Sequence, residues 1–429
     1  MSDQGSVVIR PVRTVSGAVR LPGDKSISHR YAMLAGIAEG SSRLENFSTG
    51  ADCASTLTCL RTLGVQWERE QNEVVVHGCG QLQAPVAALD CGNSGSTMRM
   101  LSGILAGQKF ESELVGDGSL SRRPMARIIA PLEKMGAKIA ANDGGRPPLR
   151  IRGGHLRAID YKMPTASAQV KSSLLFAGLF AEGETRVEEP VRTRDHGELA
   201  LRAFGAEVKQ QGLAVSLVGG QKLHAIEATI PGDLSSAAFF LCAAGLFPGS
   251  ELIISSLGMN PTRSALLDLL GGMGVRISVT QLEEHNGELV GSLRVQGAEL
   301  KGTTIRSPYT EMLIDEIPVL AAIAPYTADG MEISNARELR VKESDRIAAV
   351  ATNLRAMGAE VEERDDGLRI PGRQKLRGAE IDSFGDHRIA MAFAVAGLRA
   401  EGETTIRGAD SAVISYPEFY TTLGTLGQG

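Results

Sequence analysis

Aromatic side chains are scarce in this chain: 4% of 429 residues, with one tryptophan, and the formal net charge is −5. Both deficits argue against a nucleic-acid partner, which needs a basic footprint and stacking platforms. Cysteine is scarce too. Cys53, Cys59, Cys79, Cys91 and Cys242 are odd in number, and their spacings are not those of zinc sites. A reducing, cytoplasmic compartment is expected. Residues 1–20 hold no apolar run of signal-peptide length. The longest apolar run, about Ala237 to Phe247, is too short to span a bilayer and is expected to be a buried helix, so no membrane partner is expected. His-rich spacings, carboxylate ladders, a Gly-Lys-Ser/Thr phosphate loop and a dinucleotide fingerprint are all missing. The expected chemistry is therefore acid–base and electrostatic, on an anionic substrate, with no metal and no cofactor.

Glycine, by contrast, is abundant at 50 residues, and its placement is periodic. One submotif occurs as Leu63-Gly64-Val65, Met135-Gly136-Ala137, Phe204-Gly205-Ala206, Met273-Gly274-Val275 and Met357-Gly358-Ala359, with Leu423-Gly424 at the end. A second, glycine before a short β-rich run, occurs at Gly40, Gly107, Gly183, Gly249, Gly330 and Gly402. Both return roughly every 70 residues, which signals a repeated supersecondary unit. Each repeat reads as an Ala-rich buried helix ending at the second submotif's glycine, then a strand, then a helix ending at the first submotif's glycine. One or two strands such as 74–76 and 149–151 follow. Six such repeats make an α/β protein. The turn Pro231-Gly232-Asp233 echoes Pro22-Gly23-Asp24 and divides the repeats three and three. The expected domains are 22–232 and a discontinuous 1–21 plus 233–429, with hinges near 21–23 and 230–233.

Cations and hydroxyls collect where turns feed helices. Residues 21–30, Leu-Pro-Gly-Asp-Lys-Ser-Ile-Ser-His-Arg, run into apolar positions at Tyr31, Leu34, Ala35 and Ala38. Lys25, Ser26, Ser28 and Arg30 there suit a phosphate or carboxylate, because helix N-termini carry unpaired amides and a positive dipole end. An ordinary Asp/Ser cap beside solvated cations would look the same. Residues 92–99, Gly-Asn-Ser-Gly-Ser-Thr-Met-Arg, allow close backbone approach to a ligand, or form a capped turn. Arg122-Arg123-Pro124 suits bidentate recognition of an anion, or is a solvated basic turn. Thr165 to Lys171 offers a hydroxyl, an amide and an amine, or a simple cap. Arg340 to Arg346 is either a solvated charge run, with Glu343 paired to Arg346, or part of a site with Asp386-His387-Arg388. Asp315 and Glu316 sit in an apolar run, where a partly desolvated carboxylate suits a general base or caps a helix.

Five of these stretches, 21–30, 92–99, 116–125, 340–346 and 385–391, resemble in order those of 5-enolpyruvylshikimate-3-phosphate synthases, and the resemblance covers essentially the whole chain. It implies a two-domain inside-out α/β barrel, the enolpyruvyl transferase fold, with six βαβαββ-type repeats, three per domain. Helix N-termini would converge on an interdomain cleft that closes over the substrates. It further implies a cofactor-free monomer that transfers the enolpyruvyl group of phosphoenolpyruvate to the 5-hydroxyl of shikimate 3-phosphate, releasing phosphate, with glyphosate as an inhibitor. By similarity, Asp315 is the base, Glu343 the acid that protonates the methylene carbon, and Lys25 a contact to both substrates that helps move protons. Lys25, Gly95, Arg123, Gln169, Lys342, Arg346 and Arg388 would hold phosphoenolpyruvate. Lys25, Ser26, Arg30, Ser167, Ala168, Gln169, Arg194, Asp315 and Lys342 would hold shikimate 3-phosphate.

Some positions depart from the family pattern. The usual Gly-Asn-Ala-Gly-Thr reads Gly-Asn-Ser-Gly-Ser, Glu338 replaces an Asn used for the shikimate phosphate, and Ile414 replaces a late Lys. Ser167–Lys171, Arg194–Glu198 and Asn260–Arg263 resemble the family's second, glyphosate-tolerant class, although Gly197 replaces a Ser/Thr and Gly95 is the residue of sensitive enzymes. The rival readings are the sister enzyme acting on UDP-N-acetylglucosamine and a non-catalytic anion-binding protein of the same fold. The former resembles Gly-x-Lys-Asn at the first motif, where this chain has Ser26, and has a loop Cys or Asp near the third, where 116–125 holds no Cys.

Overall fold

The protein is described from a computed structural model covering residues 5–428; the ends of the expected domains at 1–4 and 429 lie outside the described residues. The chain forms two compact units. One, the split unit, takes residues up to Pro22, Pro231–Glu283 and Leu289 onward; the other, the 23–230 unit, also includes Glu284–Glu288. Each has its own apolar core: Ile27 to Ile230 in the 23–230 unit, and Ile9 to Leu21 with Leu234 to Leu426 in the split unit.

The repeats are visible as sheets. In five four-stranded sheets an entering strand lies parallel to its neighbour, and a hairpin completes the sheet antiparallel. In the second repeat Leu89–Asp90 pairs parallel with Glu111–Val115, which then meets the hairpin of Lys138–Asn142 and Arg146–Arg152. The first repeat borrows its entering strand, Glu227–Thr229, from the end of its own unit. The fourth takes Gly17–Arg20 beside Glu251–Gly258, and the sixth takes Val7–Ile9 beside Thr404–Arg407, so the N-terminal segment finishes two sheets of the split unit.

Between the sheets run helices with little exposed surface. Leu234–Gly245, the long apolar run, is buried along its whole length. Small residues permit this packing: a Cβ on Gly103 of the helix Gly95–Ala106 would come 2.0 Å from the Ser173 carbonyl oxygen in the helix Ala168–Gly178. The first submotif marks helix ends as expected at five places. Ala126–Met135, for example, stops at Gly136, which is left-handed at φ 114°. The sixth differs: Phe419–Leu426 runs through Gly424 and stops at Gly427. The second submotif is also offset. Lys25–Ile37 ends before Gly40, leaving Ala38 outside the helix, and Leu234–Gly245 ends before Gly249; both glycines have positive φ, Gly40 already inside the strand Glu39–Glu45 and Gly249 just ahead of Glu251–Gly258. Among the described residues no helix is long and apolar enough to cross a membrane.

Candidate active site

In the 23–230 unit three helix starts carry the expected residues. Asp24 caps Lys25–Ile37, accepting from Ile27 N at 3.0 Å, and leaves Lys25 and Ser26 in the first turn. Lys25 Nζ lies 2.9 Å from Asp52 Oδ2, in the first turn of Ala51–Thr62. Arg30, one turn on, is buried. Its Nη1 donates to the Ser26 carbonyl at 2.8 Å, and Nε and Nη2 donate to Ser172 Oγ at 3.2 and 3.0 Å. Burial lowers its pKa to about 10; Glu198 opposes that shift, and the like charge of Arg194 adds to it. A pair of neighbouring guanidiniums, one desolvated, favours an anion that both can bind.

Behind them lies a buried charge cluster. Lys171 Nζ sits 2.8 Å from Glu189 Oε2 and 2.7 Å from Glu198 Oε1. Burial raises the Glu198 pKa against the pull of Lys171. Glu189 also accepts from Thr193 N at 3.4 Å and from the Thr193 hydroxyl, which pins the loop bearing Arg194. His196 Nδ1 is 2.6 Å from Glu288 Oε1, both side chains buried.

Ser94 caps Gly95–Ala106 and Ser167 caps Ala168–Gly178. Gln169 bridges the two helices: its Oε1 accepts from Arg99 Nη1 and its Nε2 donates to Ser96 Oγ, both at 2.8 Å. Arg123, buried after the short turn Leu120–Arg122, donates through Nη2 to Asn93 Oδ1 at 2.7 Å. A Cβ on Gly95 would stand 2.9 Å from Arg99 Nη1 and 3.3 Å from Arg123 Nη1, so glycine keeps open a space faced by two cations.

In the split unit the acids and bases cluster around Asp315. Its Oδ1 is 3.7 Å from Arg346 Nη1 and 3.9 Å from Lys342 Nζ, and its Oδ2 is 4.0 Å from Arg388 Nη2. Arg388 Nη1 also donates to the Asp315 carbonyl at 2.7 Å. Glu343 accepts from Arg346 Nη2 at 2.7 Å. That pair spans the approach to the helix Arg346–Ala356, capped by Asp345, instead of one helical face. Arg346 Nη1 is buried and has no hydrogen-bond partner among the described residues. Burial opposes the Arg346 charge, but Asp386 and Glu343 outweigh it and raise the pKa. Asp386 likewise would rise on burial but is held below the usual carboxylate range by Arg346. Glu338 sits 3.4 Å from Lys342 Nζ, and Ile414 ends the turn Ala409–Ile414.

The structure thus groups Lys25, Ser26 and Arg30 on one helix start, Gly95, Arg123, Ser167, Ala168 and Gln169 around two others, and Asp315, Lys342, Glu343, Arg346 and Arg388 in one cluster. Arg194 lies in the loop just before His196–Ala203. Sequence reading missed Asp52, Arg99, Ser172 and the Asp386 carboxylate as partners. Arg99 and Asp386 lay inside the motifs already marked; Asp52 and Ser172 carried no signal of their own. Among the described residues no cluster of three or more His, Cys, Asp or Glu could hold a metal ion.

The family model for EPSP synthase (3-phosphoshikimate 1-carboxyvinyltransferase) matches residues 9–423. A protein of Koribacter versatilis called 3-phosphoshikimate 1-carboxyvinyltransferase is 61% identical over 97% of this chain and 98% of its own. One of that name from Solibacter usitatus is 58% identical over the same shares. A solved EPSP synthase from Acinetobacter baumannii superposes with a TM-score of 0.87 at 43% identity, covering 98% of each chain. The fold is the two-domain α/β fold of those enzymes. With a match running from residue 9 to residue 423 and relatives above half identity along nearly their whole length, the chain belongs to the EPSP synthase family of enzymes.

Proposed function

We infer that the protein transfers the enolpyruvyl group of phosphoenolpyruvate to the 5-hydroxyl of shikimate 3-phosphate, a step of aromatic biosynthesis. The observation that carries this reading is the Asp315 carboxylate with Lys342, Arg346 and Arg388 within 4.0 Å and Glu343 on Arg346. Asp315 takes the proton of the attacking hydroxyl as its oxygen bonds to the central carbon of phosphoenolpyruvate. Glu343 delivers a proton to the methylene carbon, which becomes a methyl group. Loss of a proton from that methyl and cleavage of the carbon–oxygen bond to phosphate then restore the double bond and release phosphate. Acid and base each contribute roughly 10²–10⁴ in rate. Fixed cations supply much of the rest by countering charge on the addition intermediate.

Lys25, Gly95, Arg123, Gln169, Lys342, Arg346 and Arg388 hold phosphoenolpyruvate in this scheme. The buried Arg346 Nη1, without a hydrogen-bond partner among the described residues, supports that role. Lys25, Ser26, Arg30, Ser167, Ala168, Gln169, Arg194, Asp315 and Lys342 hold shikimate 3-phosphate, supported by the Arg30 and Arg194 charges felt by one another. The enzyme works as a monomer. It resides in the cytoplasm, consistent with five free cysteines. It belongs to the second class and binds glyphosate more weakly than first-class members do, a reading supported by Ser167–Lys171 and Asn260–Arg263. A sub-micromolar inhibition constant competitive with phosphoenolpyruvate would overturn the glyphosate reading. The activity itself is tested by phosphate release that requires both substrates together.

A further inference from the structure

The Asn260–Arg263 stretch has no part in the scheme above, yet it builds a buried charge network. Asn260 Oδ1 accepts from Thr262 N at 2.8 Å and from Thr262 Oγ1 at 2.7 Å, and Arg263 N donates to the Asn260 carbonyl at 2.8 Å, a tight turn that aims Arg263 inward. Arg263 is 5% exposed. Its Nη2 donates to Ser235 Oγ at 2.6 Å and stands 3.8 Å from both Asp233 Oδ1 and Glu316 Oε1. Ser235 Oγ in turn donates to Glu316 Oε1. Asp233 and Glu316 are themselves only 6% and 4% exposed. Charges so deeply buried persist only where other charges and hydrogen bonds hold them.

We propose that Arg263, acting through Ser235 and Glu316, is a positioning residue for the Asp315 carboxylate; the proposal rests on Asp315 being the base. Glu316 follows Asp315 directly and enters the helix Ile317–Ile323. The segment is held from two directions: Arg388 Nη1 grips the Asp315 carbonyl, and the Arg263–Ser235 pair grips the Glu316 side chain. Each residue has only two soft backbone torsions, so fixing the groups on either side of the Asp315–Glu316 peptide fixes the direction of the Asp315 Cα–Cβ bond. That direction decides whether the carboxylate stands among Lys342, Arg346 and Arg388. Releasing the Glu316 anchor lets the peptide rotate and misplaces the base while leaving the substrate-binding cations in place.

The experiment uses the full chain and steady-state phosphate release. Asp315→Asn is measured first: if it turns over at the wild-type rate, the base assignment fails, whatever Arg263 does. With Asp315→Asn inactive, Arg263→Gln is expected to lower kcat roughly 10- to 100-fold, with both KM values within about threefold of wild type. Arg263→Lys, which still reaches Ser235, recovers part of kcat. The double variant Arg263→Met/Glu316→Leu removes both charges together; it is expected to regain thermal stability but not kcat. That variant and Arg263→Lys decide the matter if Arg263→Gln fails to fold. A wild-type kcat in Arg263→Gln, or a double variant that recovers stability and kcat together, overturns the proposal and leaves the network a purely structural one.

Discussion

Arg346 Nε donates to Asp386 Oδ2 at 2.8 Å and Nη2 to Oδ1 at 3.2 Å, joining the starts of two helices through side chains closed to solvent. Asp386 also accepts from Arg388 N at 2.9 Å, so one carboxylate holds the Arg346 guanidinium and caps the helix that carries Arg388. Asp386→Asn keeps the shape but removes the charge. Breaking a buried pair from one side costs about 3–5 kcal/mol. Because Asp386 is held below its usual pKa, its stabilising contribution is complete above about pH 4 and is lost as the pH falls through the folded-state value. Thermal melts from neutral to acid pH should show the variant less stable at neutrality and less sensitive to acid. A melting curve equal to wild type at neutrality would refute this.

Asp315→Asn and Glu343→Gln separate chemistry from binding. Each should lose roughly 10²–10⁴ in kcat. The cations around them remain, so stabilisation by shikimate 3-phosphate with phosphoenolpyruvate should persist in a thermal-shift assay. Loss of both turnover and ligand-induced stabilisation would point to a damaged fold.

At Gly95 an added methyl would press on Arg99 Nη1 and Arg123 Nη1, the far ends of side chains that can move. Gly95→Ala should therefore fold and bind phosphoenolpyruvate less well. A loss of about 1–2 kcal/mol corresponds to a rise of roughly 5- to 30-fold in KM for that substrate, with KM for shikimate 3-phosphate little changed. Equal rises in both constants would contradict the assignment.

Gly197 explains its own departure from the family's Ser/Thr. Its Cβ would lie 2.5 Å from Ser172 Oγ, the hydroxyl that holds Arg30. Gly197→Ser should raise KM for shikimate 3-phosphate. Gly197→Ser/Ser172→Ala moves the hydroxyl from one helix to the other and should recover most of the loss. A double-mutant cycle tests this; additive effects would argue against coupling at Arg30.

His29 is fully buried with Nδ1 2.7 Å from Thr56 Oγ1. Burial, and then Lys25 and Arg30, hold its pKa well below 6.5. The folded state keeps the ring neutral where the unfolded chain binds a proton. This contribution to stability is whole above about pH 6.5 and falls away as the pH drops below it. His29→Gln should flatten the stability profile between about pH 6.5 and 5. Profiles of equal slope would show that another group titrates there.

Much of this was legible locally. A turn, a capping residue and a few apolar positions announce a helix start, and Asp24, Ser94, Ser167, Asp345 and Asp386 do cap the helices that follow them. A left-handed glycine announces most helix ends, since the requirement lies in one residue's own backbone. Gly424 misleads because a glycine is also tolerated inside a helix when packing on Phe419 and Leu423 holds it there.

By itself, then, the sequence determined the repeated elements, the helix starts and the kinds of side chain they carry, because turn chemistry and capping act over three or four residues. Only the tertiary structure decided the pairings: Lys25 with Asp52, Arg346 with Asp386, Gln169 with Arg99 and Ser96, Arg263 with Ser235 and Glu316. These partners stand between 27 and 73 residues apart. Which carboxylate compensates a buried cation depends on which helix is packed beside it, and no local pattern carries that information.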